Sequence, residues 1–168
     1  MNVSAQTKMS VGAGLDVMAP IGTFSDHWNT GFGGSAEFDY VLTEHSAVTG
    51  KIGYLSFGGK NLPSGVTASY SGVPILAGIK YYPRLIPQDG PVHVYGHLEL
   101  GLMAGSVSVS GNTLPYSVPN GAGITLSPSV GIEIPTAPTG KADLSIRFFS
   151  ISGRRNIGLR AGYMFAIK

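Results

Sequence analysis

The chain has 168 residues, enough for one domain, and only 12% of them are charged, about half the share of a soluble domain. A net charge of +2 without a basic stripe excludes a nucleic-acid binder, and the lack of cysteine excludes disulfides and thiolate metal sites. Apolar residues reach 43%, yet no run of about 18 of them occurs, which excludes a transmembrane helix.

The N-terminus, Met1-Asn2-Val3-Ser4-Ala5-Gln6, lacks the charged start and apolar core of a signal peptide. Val3-Ser4-Ala5 has the form of the tail of a cleavage site, with Gln6 as the mature start, so residues 1–7 read as a flexible N-terminal remnant. From residue 9 onward the chain alternates with a period of two, the period of a strand whose faces meet different surroundings. Residues 9–17 set Met9, Val11, Ala13, Leu15 and Val17 against Ser10, Gly12, Gly14 and Asp16. Residues 32–42 set Phe32, Ala36, Phe38, Tyr40 and Leu42 against Gly33, Ser35, Glu37 and Asp39. In 48–54, Val48, Ile52 and Tyr54 oppose Thr49, Lys51 and Gly53; in 73–83, Val73, Ile75, Ala77, Ile79 and Tyr81 oppose Gly78, Lys80 and Tyr82.

The segment 92–104 is the clearest. Val92, Val94, Leu98, Leu100, Leu102 and Ala104 share one parity, and His93, Tyr95, His97, Glu99 and Met103 the other. In 124–134, Ile124, Leu126, Val130, Ile132 and Ile134 oppose Thr125, Ser127, Ser129, Gly131 and Glu133. In 142–148, Ala142, Leu144, Ile146 and Phe148 oppose Asp143, Ser145 and Arg147. In 157–167, Ile157, Leu159, Ala161, Tyr163, Phe165 and Ile167 oppose Gly158, Arg160, Gly162 and Met164.

That gives eight strands, mostly of bilayer-crossing length (about 9–11 residues) rather than the ~5–6 usual in soluble sheets. The pattern predicts an all-β fold: an eight-stranded, antiparallel, up-and-down transmembrane β-barrel. Tight turns are expected at 43–46, 86–91 and 137–140, and longer loops at 19–30, 58–72 and 106–122, with a short last connection near Ser152-Gly153-Arg154-Arg155. Short periplasmic turns and longer outer loops would put both termini in the periplasm. Pro128 lies mid-strand and predicts a bulge or bend; Leu55 and Phe57, on the polar parity, predict a position near the rim.

Alternation alone also allows a soluble, lipocalin-like barrel with the apolar set inside. Volume decides against it, because eight strands enclose a space just wide enough for side chains, and the apolar set is the bulky one. Leu15, Phe38, Ile52, Ile79, Leu98, Leu100, Leu102, Ile132, Ile146 and Leu159 are therefore expected to face lipid. Phe32, Tyr40, Tyr54, Tyr81, Phe148, Tyr163 and Phe165 fall near strand ends as two aromatic girdles. Asp16, Glu37, Asp39, Lys51, Lys80, Glu99, Glu133, Asp143, Arg147 and Arg160 then point inward, and in so narrow a lumen they must pair. A salt-bridged plug is expected rather than an open channel.

Several segments resemble the small outer-membrane β-barrel proteins of the OmpA/OmpX type, most of all the versions common in Bacteroidetes-like bacteria. They are Val11-Gly12-Ala13-Gly14-Leu15 leading to Pro20-Ile21-Gly22, Gly31-Phe32-Gly33, Gly50-Lys51-Ile52-Gly53-Tyr54 and Leu159-Arg160-Ala161-Gly162-Tyr163-Met164-Phe165. The family's last strand ends on an aromatic residue, whereas here Ala166-Ile167-Lys168 follows Phe165. The resemblance implies a monomer in the bacterial outer membrane, with the bilayer and lipopolysaccharide as partners and no cofactor.

Some barrels of this kind modify lipid A with His and Ser near the outer leaflet. His45-Ser46 falls in a turn at the wrong end for that chemistry. His93, His97 and Glu99 share the inward face and could form a base with an orienting carboxylate or a metal site, but lumen hydrogen bonding is the plainer reading. His27, beside Asp26 and Trp28, reads as a surface-loop residue, and no phosphate loop or nucleophile elbow occurs. The outer loops carry Phe24, Trp28, Tyr70, Leu114 and Tyr116, aromatic and apolar groups that could grip a protein partner or lipopolysaccharide, or pack on one another. The expectation is a structural or surface-interaction barrel without catalytic or metal residues; a lipid A-modifying enzyme and a narrow channel for small or apolar solutes are the alternatives.

Overall fold

A strand that is apolar on one face and polar on the other needs two different solvents, and in hydrocarbon every backbone N–H and C=O must also be paired. A closed barrel meets both demands. The computed structural model of the protein describes residues 8–60, 62, 64–83, 90–111 and 116–167 and has this form. Its strands are β1 (Met9–Ile21), β2 (Trp28–Thr43), β3 (Ser46–Gly59), β4 (Thr67–Tyr81), β5 (His93–Ser110), β6 (Tyr116–Ala137), β7 (Gly140–Ile151) and β8 (Arg154–Ile167). They pair antiparallel in sequence order, and β8 returns to β1 from Met9↔Ile167 through Ile21↔Arg155, which leaves no open edge along that seam.

Two-residue turns at Glu44–His45 and Pro138–Thr139 share one end with the termini. At the opposite end lie residues 22–27, 64–66, Lys60, Gly111 and the turn Ser152–Gly153. In that last turn Ser152 (φ 44°) and Gly153 (φ 89°) both adopt the left-handed region, as a two-residue hairpin linking right-twisted strands requires. The remnant at 1–7, Leu114 and the side chain of Tyr116 lie outside the described residues, as does most of the turn expected at 86–91.

The structure corrects the loop boundaries. The connections expected at 19–30, 58–72 and 106–122 shrink because the strands run past their apolar stretches; Ala68↔Val109 and Ser69↔Ser108, for example, extend the β4–β5 ladder through residues assigned to loops. Apolar alternation marks only the part of a strand that needs hydrocarbon, whereas backbone pairing continues wherever a neighbour is present.

Pro128 is a second correction. The β5–β6 register runs unshifted through Leu98↔Pro128. The pairing to β7 instead lapses between Leu126↔Ser150 and Ser129↔Arg147 and resumes in the same register. Pro74 does the same on β4, where pairing to β3 lapses between Ile52↔Ile75 and Leu55↔Gly72. Each proline gives up one donor on one side, with no bulge.

Leu55 and Phe57 are the third correction. They do not sit in a rim that opens into a loop but are buried in the lumen, 3% and 1% exposed. The interior is thus not polar throughout.

Candidate functional site

Side-chain direction follows parity on every strand. Leu15, Phe38, Ile52, Ile79, Leu98, Leu100, Leu102, Ile146 and Leu159 all project outward and are exposed, with Leu15 the most exposed at 72%. Ile132 belongs to the same outer surface but is half-covered by its neighbours. Of the girdle residues, Phe32, Tyr40, Tyr54, Tyr81 and Phe165 are exposed, while Phe148 and Tyr163 are half-buried. The Tyr163 ring meets that of Phe165 at 4.8 Å in a tilted contact, and its hydroxyl lies 2.8 Å from Thr136 Oγ1.

The half of the lumen nearer the termini is an ion cluster. All ten charged residues singled out by parity are buried there. Lys80 lies at its centre, with Nζ 3.1 Å from Glu37, 2.8 Å from Asp39 and 3.1 Å from Glu133. Lys51 bridges Glu37 at 3.0 Å and Glu99 at 2.8 Å. Arg160 reaches Asp143 at 2.8 Å and Glu37 at 3.5 Å, and Arg147 spans Asp16 at 3.5 Å and Glu99 at 3.8 Å. Each charge therefore has an opposite partner, as burial of ions demands. Neutral groups tie the cluster to the wall: Ser35 donates to Asp16, Tyr95 donates to Asp143, and Tyr82 donates to Glu133. Lys141, 2.7 Å from Glu133, belongs to the cluster and was missed; it has the inward parity of Asp143 but lies one residue before the alternating segment begins.

The half nearer the loops is different in kind. Met18, Phe24, Leu55, Phe57, Tyr70, Leu76, Met103, Phe149 and Ile151 form one buried apolar cluster, with Trp28 and Val107 packed against it. Phe24 meets Phe57 at 5.5 Å and Tyr70 at 5.8 Å, both edge to face, the favoured aromatic geometry. A cavity of about 10 Å³ lies where the two halves join, between Asp16, Lys51 and Arg147 below and Met18, Leu55 and Phe149 above. That is roughly room for one water and no more.

The structure separates the residues weighed for chemistry. His97 is buried with Nε2 2.7 Å from Thr49 Oγ1, while Glu99 is taken up by Lys51 and Arg147. His93 is half-buried near the termini, opposite Glu133 in register. His45 lies in the Glu44–His45 turn, where its backbone N–H donates to Thr43 Oγ1, and His27 stands at the loop end with Nδ1 3.2 Å from the Thr23 carbonyl. His97 and Glu99 lie near one another but are held by different partners, His27 stands at the opposite end of the barrel, and among the described residues no three of these groups are placed to hold a metal ion. Tyr70, assigned to a loop, sits in the lumen at 2% exposure.

No protein-family model matches the chain, and no curated protein sequence matches it. Solved structures do. Neisserial surface protein A (NspA) superposes with a TM-score of 0.63 at 15% identity, over 95% of this chain and 97% of that one. Ail, the attachment invasion locus protein of Yersinia pestis, superposes with a TM-score of 0.61 at 16% identity, over 94% of this chain and 95% of that one. The same values hold for Ail in complex with the heparin analogue sucrose octasulfate. The fold is thus that of the small eight-stranded outer-membrane barrels of the OmpA/OmpX-like type. These structures bear on the barrel type and not on the Bacteroidetes-like versions. The apolar belt around this barrel is a transmembrane surface, since leucines as exposed as Leu15, Leu100 and Leu159 are satisfied by hydrocarbon.

Proposed function

We propose that the protein is an integral outer-membrane barrel with a closed lumen that serves a structural or surface-interaction role through its loop end. The observation that carries this reading is the filled interior. Ten buried charges are paired with one another, and an aromatic cluster lies above them. The cavity between the two halves is only about 10 Å³, and the Thr49 hydroxyl that lies beside His97 is buried at 3% exposure. Two of the three connections at the end that holds the termini, Glu44–His45 and Pro138–Thr139, are two-residue turns, which supports a periplasmic location for that end, with residues 22–27 and 64–66 outside.

The loop end also suits an anionic surface. Lys60, Arg154 and Arg155 stand there against Asp26, a balance that fits the phosphates of lipopolysaccharide. Ail accommodates a sulfated saccharide analogue, which supports the same class of partner. Planar-bilayer recording of the purified protein tests the closed lumen: only the baseline leak is expected, and large, steady currents would favour a channel. Binding of the detergent-solubilised protein to lipopolysaccharide-coated sensors tests the partner. The signal is expected to fall when Arg155 and Lys60 are both replaced by Gln, and binding that ignores those changes would remove the loop end from the reading.

A further inference from the structure

The apolar cluster at the loop end has one member of different origin. Met18, Leu55, Phe57, Tyr70, Leu76, Met103, Phe149 and Ile151 all come from strands of the wall. Phe24 alone comes from a loop, on the 3-10 turn Gly22–Phe24. Its ring is 6% exposed and packed among Phe57, Tyr70 and Trp28, with centroids 5.5, 5.8 and 6.2 Å away. The turn beneath it is held mainly by its own bonds, from the Ser25 N–H and Ser25 Oγ to the Gly22 carbonyl. Gly22 has φ +63°, a conformation that glycine adopts without strain. Displacing Phe24 would break no strand ladder and would open a well walled by Phe57, Tyr70 and Trp28.

The rim of that well is cationic. The Arg154 guanidinium lies over the Tyr70 ring at 5.2 Å, and Lys60 Nζ donates to the Ser25 carbonyl at 3.4 Å. The one acidic residue in the sequence of that loop, Asp26, lies in the exposed part of the turn. We propose that the well beneath Phe24 is a binding site for a small aromatic anion, for which the Phe24 ring is the built-in stand-in. The ligand's ring takes the place of Phe24 against Phe57 and Tyr70, and its carboxylate faces Arg154 and Lys60. Because Phe24 competes for the seat, affinity is reduced by the fraction of molecules in which it is displaced.

The test uses the full chain in detergent, with phenylacetate as the probe and phenylacetamide as its neutral counterpart. Trp28, the single tryptophan, borders the well and reports occupancy by fluorescence. The wild type is expected to give a saturable response to phenylacetate, and Phe24→Ala a response with affinity about tenfold or more higher, since the competitor is gone. Phe24→Ala is expected to prefer the acid to the amide by about tenfold, the scale of a charge-assisted hydrogen bond, and Arg154→Gln in that background should erase the preference. Heat-modifiable migration verifies that each variant is folded. A wild-type signal that stays linear up to the solubility of phenylacetate overturns the proposal. So does equal binding of acid and amide by Phe24→Ala, or by the wild type if that variant fails to fold. Neither result touches the closed-barrel reading, which rests on other residues.

Discussion

Replacement of Lys80 by Met removes the hub of the ion cluster without emptying its volume. Lys80 is fully buried and bonded to Glu37, Asp39 and Glu133. Those three partners do not lose equally. Glu37 keeps Lys51 and Arg160, and Glu133 keeps Lys141. Asp39 has no other cation within ion-pair distance among the described residues. The variant therefore leaves one uncompensated buried carboxylate rather than three, and the expected loss is that of one broken buried pair, about 3–5 kcal/mol. Asp39→Asn in the Lys80→Met background removes the orphaned charge and should restore part of the loss. The two changes are thus coupled by roughly 0.5–3 kcal/mol. Urea unfolding of protein refolded into lipid vesicles, followed by Trp28 fluorescence, measures both values. A Lys80→Met barrel within about 0.5 kcal/mol of wild type, the range of an ordinary surface change, would refute the pairing argument. Additive effects of the two substitutions would refute it as well.

Other substitutions probe the wall and the upper half of the lumen with the same unfolding assay. Leu100→Arg, on the exposed outer face of β5, should cost about 2–4 kcal/mol if that position lies near the bilayer midplane, and a neutral result would argue against lipid contact there. Phe57→Ala, at 1% exposure, should cost about 3–5 kcal/mol through the lost core contacts, whereas a rim residue would cost far less. Gly101→Ala would drive a methyl onto the Ile75 carbonyl oxygen and within 2.8 Å of Leu76 Cα, so a loss of about 1–3 kcal/mol is expected; wild-type stability would mean that the β4–β5 contact is looser than described.

The wall of this barrel was legible because hydrocarbon imposes a strict rule on every second residue, and residues such as Leu98, Leu100 and Leu102 obey it. The ion cluster was legible for the converse reason: a charge such as Lys80 or Glu99 has no place on that face. The aromatic half of the lumen was not. Met103, Leu55 and Phe57 carry the inward parity but an outward composition, and composition pulled Leu55 and Phe57 toward the rim. Inward direction follows from strand geometry alone, so parity was the better guide there. Phe24 was marked as a loop aromatic, but its burial was not legible, since a loop residue has no period and its burial depends on how residues 22–27 fold back over the mouth. Loop lengths were overestimated because backbone pairing in a closed sheet is set by the neighbouring strand, as Ser106↔Pro119 and Ser69↔Ser108 show.

The chain has no cysteine, so single cysteines carrying spin labels can be placed one at a time along β5. With the protein in lipid vesicles, labels at positions 98, 100 and 102 should collide freely with dissolved oxygen, which concentrates in hydrocarbon, while labels at 97, 99 and 101 should be shielded. The opposite alternation, with the even positions shielded and the odd ones open to a water-soluble nickel reagent, would mean that the apolar set lines the interior and that the barrel does not belong in a membrane.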